Sequence, residues 1–377
     1  MKRYEFLNLA ATNAPYMEEI RAAVDRVITS GRYVGGEENE RFEKKLALMH
    51  GARFAVGVSN GLDAMRLILE AYKLLGKLSA GDDIIVPANT YVATIMAIIQ
   101  AGLNPVMVEP SLETLNINTS AIERAITPRT RAIMTVHLYG RVAYDAEMAR
   151  IVKNHNLLLL EDNAQAIGAV SSTLGLFFSN RSGALGDAGA FSFYPTKNIG
   201  AIGDAGAVVT PHAELADAVR ALSNYGSDRR YHNIYSGFNC RLDPIQAAVL
   251  NVKLDHLEQE SNRRRELAAV YNAEITHPAI TLPSIPADPR EHVWHQYVIL
   301  SPERDRLRQY LADNGVQTDI HYATPPHRQP CYSSRFSGLR FPVTDLIADR
   351  ALSLPISILT SPDDAREIAA IINRCNP

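Results

Sequence analysis

The sequence lacks several features that would assign it to a specialised class of protein. Its 377 residues contain three cysteines, at positions 240, 331 and 375, with no CxxC pair, which is typical of a reducing cytosol. The formal net charge is −3, so neither nucleic acid nor an anionic membrane is expected as a partner. No P-loop pattern occurs, and the missing GxGxxG fingerprint argues against a nicotinamide-dependent oxidoreductase.

Long apolar runs are also absent. Residues 1–5 lead into no such run, so no signal peptide is expected. The run at 157–160 is too short to span a bilayer and ends in two carboxylates. A hydrophobic content of 46% and a charged content of 21% are ordinary for a soluble enzyme. The expectation is a cytoplasmic protein with a large domain and a smaller companion.

Between residues 54 and 210, short apolar runs alternate with longer amphipathic ones. Strands are predicted by the apolar runs at 54–58, 83–87, 104–108, 132–136 and 157–160. Helices are predicted between them, for example over 62–72 and 90–101. This alternation predicts an α/β fold with a mostly parallel, doubly wound sheet flanked by helices.

The last third of the chain has a different pattern. Residues 244–272 are charged and helical in pattern, and they are interpreted as the connection between two domains. Proline-punctuated segments and a predicted strand at 293–300 follow. The sequence therefore predicts a large domain over 1–250, which includes an N-terminal arm, and a smaller C-terminal α+β domain over 251–377.

A small polar turn at 59–63 lies between a predicted strand and a predicted helix. The free N–H groups at the start of such a helix, together with the positive end of its dipole, favour an anion such as phosphate. A plain helix start without a ligand fits the same residues, and both interpretations stay open on the turn alone.

The apolar run at 157–160 leads directly to Glu161 and Asp162. Ligands of open α/β sheets collect at the carboxyl ends of strands, where a carboxylate can pair with a protonated ring nitrogen. Alternation sends Glu161 and Asp162 to opposite faces, and spacing does not say which one faces the ligand. A helix cap is the simpler alternative.

Lys197 is conspicuous in a stretch rich in glycine and alanine and poor in charge. It follows an aromatic strand-like run that ends at Pro195. Such surroundings favour a lowered pKa, and the neutral amine is the form that attacks an aldehyde. A surface lysine in a glycine loop is the ordinary alternative. The possible phosphate site at 59–63, the carboxylates at 161–162 and Lys197 occur together in one chain, in an order compatible with a single site. This combination favours the chemical role for the lysine.

Three segments, at 192–198, 161–166 and 237–243, resemble those of the DegT-type nucleotide-sugar aminotransferases. The similarity runs from residues 31–36 to residues 321–327. It implies fold type I, the architecture of aspartate aminotransferase, with a mixed, mostly parallel sheet. It also implies pyridoxal 5'-phosphate as the cofactor and a homodimer with active sites shared between subunits. No metal is expected.

The resemblance implies a role for each residue that would contact the cofactor ring. Lys197 matches the Schiff-base lysine, and Asp162, rather than Glu161, matches the partner of the pyridine nitrogen. Gln165 corresponds to a residue that hydrogen-bonds the ring hydroxyl. Tyr91 corresponds to the aromatic side chain that stacks on the ring.

The cofactor phosphate would have its own set of contacts. By the same resemblance, Gly61 and Leu62 provide backbone N–H groups and Ser192 provides a hydroxyl. Asn239 matches a phosphate contact that in this family comes from the second subunit.

The segment 224–233 is most similar to the branch that aminates carbon 3 of dTDP-linked 3-oxo-6-deoxyhexoses. The substrate residues predicted in this way are Tyr33, Tyr225, Tyr231, His321 and His327. For the two histidines, loop packing is the alternative. Residues 171–183 form a longer link than is usual in the family, and they are expected to reshape the sugar pocket. Asn163 and Ile167 also depart from the family pattern, at positions outside the required chemistry.

The predicted reaction is a ping-pong transfer. L-Glutamate is the expected amino donor, Lys197 is the general acid and base, and a nucleotide-linked keto sugar is the acceptor. Amination at carbon 4 of a UDP-, GDP- or dTDP-linked 4-keto sugar is an alternative, and a non-catalytic, cofactor-binding regulator is another. Related sugar dehydratases carry histidine in place of the lysine, so Lys197 argues against that activity.

Overall fold

The computed structural model describes residues 2–375 of the chain. Met1, Asn376 and Pro377, at the ends of the two predicted domains, lie outside the described residues. Within the described part, the largest sheet has seven strands in the order β1-β7-β6-β5-β4-β2-β3. These are β1 (Phe54–Val58), β2 (Asp83–Pro87), β3 (Asn104–Val108), β4 (Thr130–Val136), β5 (Leu158–Asp162), β6 (Ala188–Ser192) and β7 (Gly206–Thr210).

The direction of the strands confirms the predicted sheet. β2 through β6 pair in parallel, and β7 runs antiparallel to both of its neighbours, β6 and β1. The strands at 54–58, 83–87 and 104–108 have the predicted bounds. β5 begins one residue later than predicted and continues through Asp162, so both carboxylates belong to the strand.

Helices cover both faces of this sheet. The helices of the described chain are α1 (Leu9–Asn13), α2 (Met17–Ser30), α3 (Glu37–His50), α4 (Gly61–Leu74), α5 (Val92–Gln100), α6 (Thr119–Ala125), α7 (Ala146–His155), α8 (Ala213–Ser223), α9 (Pro244–Leu254), α10 (Leu257–Glu274), α11 (Arg304–Asp313), α12 (Pro342–Arg350) and α13 (Pro362–Asn373). One buried cluster packs α4, α5 and α8 against the sheet, and others pack α3, α6, α7 and α9 on the opposite face. None of the described helices is long and apolar enough to cross a membrane.

The segment 244–272 forms two helices, α9 and α10, separated by Asp255 and His256. α9 and the first residue of α10, Leu257, pack with the core of the large sheet. From Leu267 onward, α10 instead joins a second buried cluster. The change of packing partner along these two helices is consistent with a connecting role.

The C-terminal part of the chain has its own small sheet. It consists of β10 (Tyr297–Leu300) and β11 (Ala351–Leu354), which pair in antiparallel fashion. A separate antiparallel pair, β8 (Ser227–Arg229) and β9 (His232–Asn233), lies in the segment after α8. The second buried cluster includes residues of β10, β11, α10, α11 and α13. The domain boundary near residue 250 stays a prediction.

The Glu161 side chain accepts hydrogen bonds from the segment that leads into β6. Its side chain is buried and faces away from Asp162, as alternation along β5 requires. It accepts one hydrogen bond from His137 Nε2, at 2.8 Å. His137 Nδ1 accepts from the backbone N–H of Ala143, which leaves Nε2 as the ring donor. Three further bonds come from the backbone N–H groups of Gly183, Leu185 and Gly186.

We expect Glu161→Ala to destabilise the protein strongly. The substitution would leave three backbone N–H groups and one ring N–H without an acceptor, a loss of about 3–5 kcal/mol in the free energy of unfolding. Denaturant unfolding of the purified protein measures this value. Glu123→Ala is the control, because Glu123 forms only exposed ion pairs with Arg150 and His155. Equal effects of the two substitutions would contradict the role of Glu161.

Candidate active site

Three chain segments meet at one edge of the large sheet. β5 ends at Asp162 and its parallel neighbour β6 ends at Ser192, with Asp162 opposite Ala190 in the register. β1 also ends at this edge and leads through a short turn into α4, which begins at Gly61. Ligands of open α/β sheets bind at this carboxyl edge.

The start of α4 has the backbone features that the sequence predicts for an anion site. Asn60 caps the helix by accepting from the N–H of Asp63. Within the described residues, the N–H groups of Gly61 and Leu62 have no acceptor, as expected for a first helical turn. A Cβ on Gly61 would lie 2.7 Å from the Cβ of Ser192, so only glycine lets the helix approach Ser192 this closely. The free N–H groups and the Ser192 hydroxyl therefore share one small space.

The Asp162 carboxylate is buried and held through both oxygens. Oδ2 accepts from the Thr94 hydroxyl at 2.8 Å, and Oδ1 accepts from the N–H of Ala164 at 3.1 Å. Burial raises the pKa of Asp162, while these two bonds and the nearby Lys197 oppose the increase. The two hydrogen bonds therefore hold the Asp162 carboxylate in one orientation. Together with Lys197, they favour its ionised form.

Lys197 lies in a turn after β6 and reaches into the same enclosed region. Its N–H donates to the carbonyl of Tyr194 at 2.8 Å, which closes the turn. Burial lowers the pKa of Lys197 to about 8, and the charge of Asp162 partly opposes this. An amine with this pKa has a far larger neutral fraction near physiological pH than an ordinary lysine, and the neutral form is the nucleophile for a carbonyl group.

Gln165 presents its amide nitrogen toward the same region. The N–H of Tyr139 donates to Gln165 Oε1 at 2.6 Å, which fixes the orientation of the amide. Gln165 Nε2 then donates to the hydroxyl of Tyr322 at 2.9 Å. The rings of Tyr322 and Tyr91 lie 4.9 Å apart at a tilt of 39°. Tyr322 is also close enough to Asp162 for that carboxylate to help raise the tyrosine pKa.

The two histidines predicted for the substrate lie in different surroundings. His321 Nδ1 bonds the hydroxyl of Ser353 at 2.8 Å. Burial lowers the pKa of His321, Asp319 opposes this, and the charge of Lys197 lowers it further, so His321 is near Lys197. His327 instead bonds Asp345 at 2.9 Å and packs against Phe341. A role for His327 at the sugar stays a prediction, since its described contacts are those of loop packing.

The remaining predicted residues are on the surface of the single chain. Tyr33, Tyr225, Tyr231 and Asn239 are all exposed, and Tyr231 keeps 88% of its accessible surface. Asn239 forms an isolated bridge with Asn224. Their described contacts do not bring them to Lys197 of the same chain.

The long link at 171–183 has contacts toward both edges of the sheet. Ser179 donates to the carbonyl of His50, and the Phe177 ring contacts His212, which follows β7 at the edge opposite Lys197. Near its end, the carbonyl of Ser182 accepts from Asn163, the residue after Asp162, and the expected reshaping of a sugar pocket stays a prediction. Of the two family departures, Ile167 is a core residue, and Asn163 bonds the carbonyl of Ser182.

Two residues of the site were not predicted from the sequence. Thr94 bonds Asp162, and Tyr322 bonds Gln165. No spacing rule identifies Thr94, because Thr90 lies before the first residue of α5 and the two side chains do not share a helix face. Tyr322 had no local signal, since it reaches the site from a distant loop.

The side chains at this edge match the groups of pyridoxal phosphate. Free N–H groups and a hydroxyl suit a phosphate, and a buried carboxylate suits a protonated ring nitrogen. The amide N–H of Gln165 suits a ring oxygen, and a lysine with a lowered pKa suits an aldehyde.

Comparisons with known proteins show which proteins this chain is similar to. A family model described as the DegT/DnrJ/EryC1/StrS aminotransferase family matches residues 16–373. The chain is similar to the dTDP-3-amino-3,6-dideoxy-alpha-D-galactopyranose transaminase of Aneurinibacillus thermoaerophilus, with 45% identity over 98% of each chain.

Two solved structures have the same fold. The crystal structure of S. venezuelae DesV, in complex with a ketimine intermediate, superimposes with a TM-score of 0.93 at 39% identity, covering 99% of this chain and 98% of that one. NtdA from Bacillus subtilis, with bound cofactor PMP, superimposes with a TM-score of 0.88 at 29% identity, covering 99% and 86%.

We expect Lys197 to react with an acylating reagent in a pH range well below that of ordinary lysines. In cofactor-free protein, brief treatment with acetic anhydride followed by peptide mass spectrometry should give a midpoint at pH about 8 for Lys197. Asp162→Asn should move the midpoint lower, because the negative charge of Asp162 stabilises the ammonium form. Labelling of the exposed Lys44 normalises each sample. A midpoint near the usual lysine value of about 10.4 would contradict the buried environment.

Proposed function

The chain belongs to the DegT/DnrJ/EryC1/StrS aminotransferase family, and we propose that it aminates carbon 3 of a dTDP-linked 3-oxo-6-deoxyhexose. L-Glutamate is the proposed amino donor and pyridoxal 5'-phosphate the proposed cofactor. The observation that supports this most is the grouping of Lys197, Asp162, Gln165, Ser192 and Gly61 at one edge of the sheet. The proposed role is in the biosynthesis of amino sugars.

The residues of the chain divide the proposed chemistry between them. Bound pyridoxal phosphate supplies an electron sink that stabilises negative charge at the donor α-carbon. Asp162 would pair with the ring nitrogen and keep it protonated. Lys197 Nζ would hold the cofactor and would carry the proton to and from the donor α-carbon. Gly61, Leu62 and Ser192 hold the phosphate end.

Carbon 3 is favoured over carbon 4 by the relative from A. thermoaerophilus, which is named for a dTDP-3-amino sugar. A non-catalytic regulator is disfavoured because the chain retains a lysine and a carboxylate in one buried site. A change of cofactor absorbance on adding glutamate separates an enzyme from such a regulator.

A homodimer is part of the proposal. The surface around α2 has a cavity of about 600 Å³, and its lining includes Ile20, Ile28 and Ile202. Tyr33 lies beside this apolar surface, because its hydroxyl donates to the carbonyl of Ile28 at 3.2 Å. Exposed apolar patches of this kind mark interaction sites. We assign a second copy of the chain as the occupant, with Asn239 reaching the phosphate of the neighbouring site.

The substrate and Lys197 can be tested together. Wild-type protein with glutamate and dTDP-3-oxo-6-deoxyhexose should give a dTDP-amino sugar, identified by mass spectrometry, and Lys197→Ala should abolish turnover. In wild-type protein, borohydride reduction should fix the cofactor to the peptide that contains Lys197. Asp162→Asn should retain the cofactor and lower kcat by at least about 100-fold.

Two results would contradict this proposal. Turnover of Lys197→Ala at the wild-type rate would exclude the lysine from the chemistry. Conversion of a 4-keto sugar in preference to the 3-keto sugar would replace the proposed substrate with the alternative.

Shared active sites can be tested by mixing inactive variants. Lys197→Ala and Asn239→Asp, the second chosen to repel the phosphate, should each be nearly inactive alone. After joint unfolding and refolding, random pairing of subunits should restore up to about a quarter of the wild-type activity, because half the dimers gain one intact site. No recovery in a mixture that forms dimers would contradict the contribution of Asn239 to the partner's site.

A further inference from the structure

Two buried threonines connect α5 to the Asp162 carboxylate. Thr94 Oγ1 donates to Asp162 Oδ2 at 2.8 Å, and Thr90 Oγ1 lies 2.7 Å from Thr94 Oγ1. Thr90 and Thr94 are almost completely buried, with exposures of 1% and 0%. The hydroxyls and the carboxylate thus form one chain that is closed to solvent.

The direction of this chain follows from its end. An ionised carboxylate can only accept hydrogen bonds, so Thr94 must donate its single hydroxyl proton to Asp162. Thr90 must then be the donor to Thr94. Both dipoles point their positive ends toward Asp162, and each bond polarises the next.

The hydroxyl of Thr94 has no other described function in the fold. The helical backbone at this point is held separately, by the bond from Thr94 N–H to the carbonyl of Tyr91. Of the interactions that favour the ionised form of Asp162 over the neutral one, the Thr94 bond is the largest, ahead of those from Ala164, Lys197 and His137. Tyr322 is a further titratable group close to Asp162.

We propose that Thr94, oriented by Thr90, is a positioning residue that keeps Asp162 ionised and aimed at the cofactor's ring nitrogen. This inference rests on the proposed function, because it assigns Asp162 to that nitrogen. If Thr94 is lost, the buried carboxylate becomes more basic and takes a larger share of the proton between the two groups. The ring nitrogen is then less protonated and the electron sink weaker.

The test uses the holoenzyme reconstituted with pyridoxal phosphate that is ¹⁵N-labelled at the ring nitrogen. Thr94→Val keeps the shape of the side chain but removes the donor. Its ¹⁵N signal should move from the protonated toward the unprotonated position, and kcat should fall about 10- to 100-fold. Thr94→Ser should recover most of both properties, because it restores the hydroxyl. Thr90→Val should give a smaller change in the same direction.

Thr210→Val is the matched control. Thr210 is a fully buried threonine of the same sheet, and its hydroxyl donates to the carbonyl of Asp187 at the opposite edge. This substitution should lower stability while leaving both the ¹⁵N signal and kcat unchanged.

A double-mutant cycle separates this inference from a general structural effect. In the Asp162→Asn background, Thr94→Val should cost little further rate, because the carboxylate it acts through is gone. An equal loss of rate in both backgrounds, or an unchanged ¹⁵N signal in Thr94→Val, would overturn the inference. Failure of the proposed function looks different, since wild-type protein itself would then neither bind the cofactor nor transfer an amino group.

Discussion

The parallel pairing of β5 with β6 is the constraint on which the candidate site depends. The two strands run side by side and end at the same edge, which delivers Asp162 and, shortly afterwards, Ser192 and Lys197 to one place. Since β7 returns antiparallel between β6 and β1, the turn into α4 reaches that edge as well. Gly61 then contacts Ser192 directly. A carboxylate, a lysine and a helix start that are far apart in the chain therefore share one enclosed region.

The last two residues of β5, Glu161 and Asp162, point to opposite faces of the sheet. One stabilises the fold, and the other is proposed to take part in the chemistry. Glu161 faces one side of the sheet, where its carboxylate accepts four hydrogen bonds from groups of the protein itself. Asp162 faces the other side, where burial raises its pKa and its protein partners only partly compensate. A buried carboxylate in that condition is stabilised by a cation in the site. Two adjacent residues of the same charge thus differ in role because of what each face of the strand contacts.

Much of the fold followed from local patterns in the sequence. Three strands have the predicted bounds because continuous apolar runs of this length are characteristic of strands covered on both faces. Lys197 could be singled out because it follows a strand in surroundings poor in charge. The choice of Asp162 over Glu161 came from the family resemblance, because spacing left both residues open. Thr94 and Tyr322 were missed because their roles come from tertiary contacts. The contacts of Phe177 and Ser179 at the opposite edge also could not be predicted, since loop length gives no direction.

The proposed cofactor contacts and the proposed substrate contacts differ in how they are held. Asp162, Gln165 and Thr94 are buried and fixed by bonds to the backbone or to one another, which suits a group that stays in place through every turnover. Tyr33, Tyr225 and Tyr231 are exposed in the single chain. Aromatic side chains so exposed become ordered when another surface covers them, and in the proposed dimer that surface belongs to the second copy. On this proposal, each chain supplies the groups that contact the cofactor ring, while the cofactor phosphate and the sugar also require the second chain.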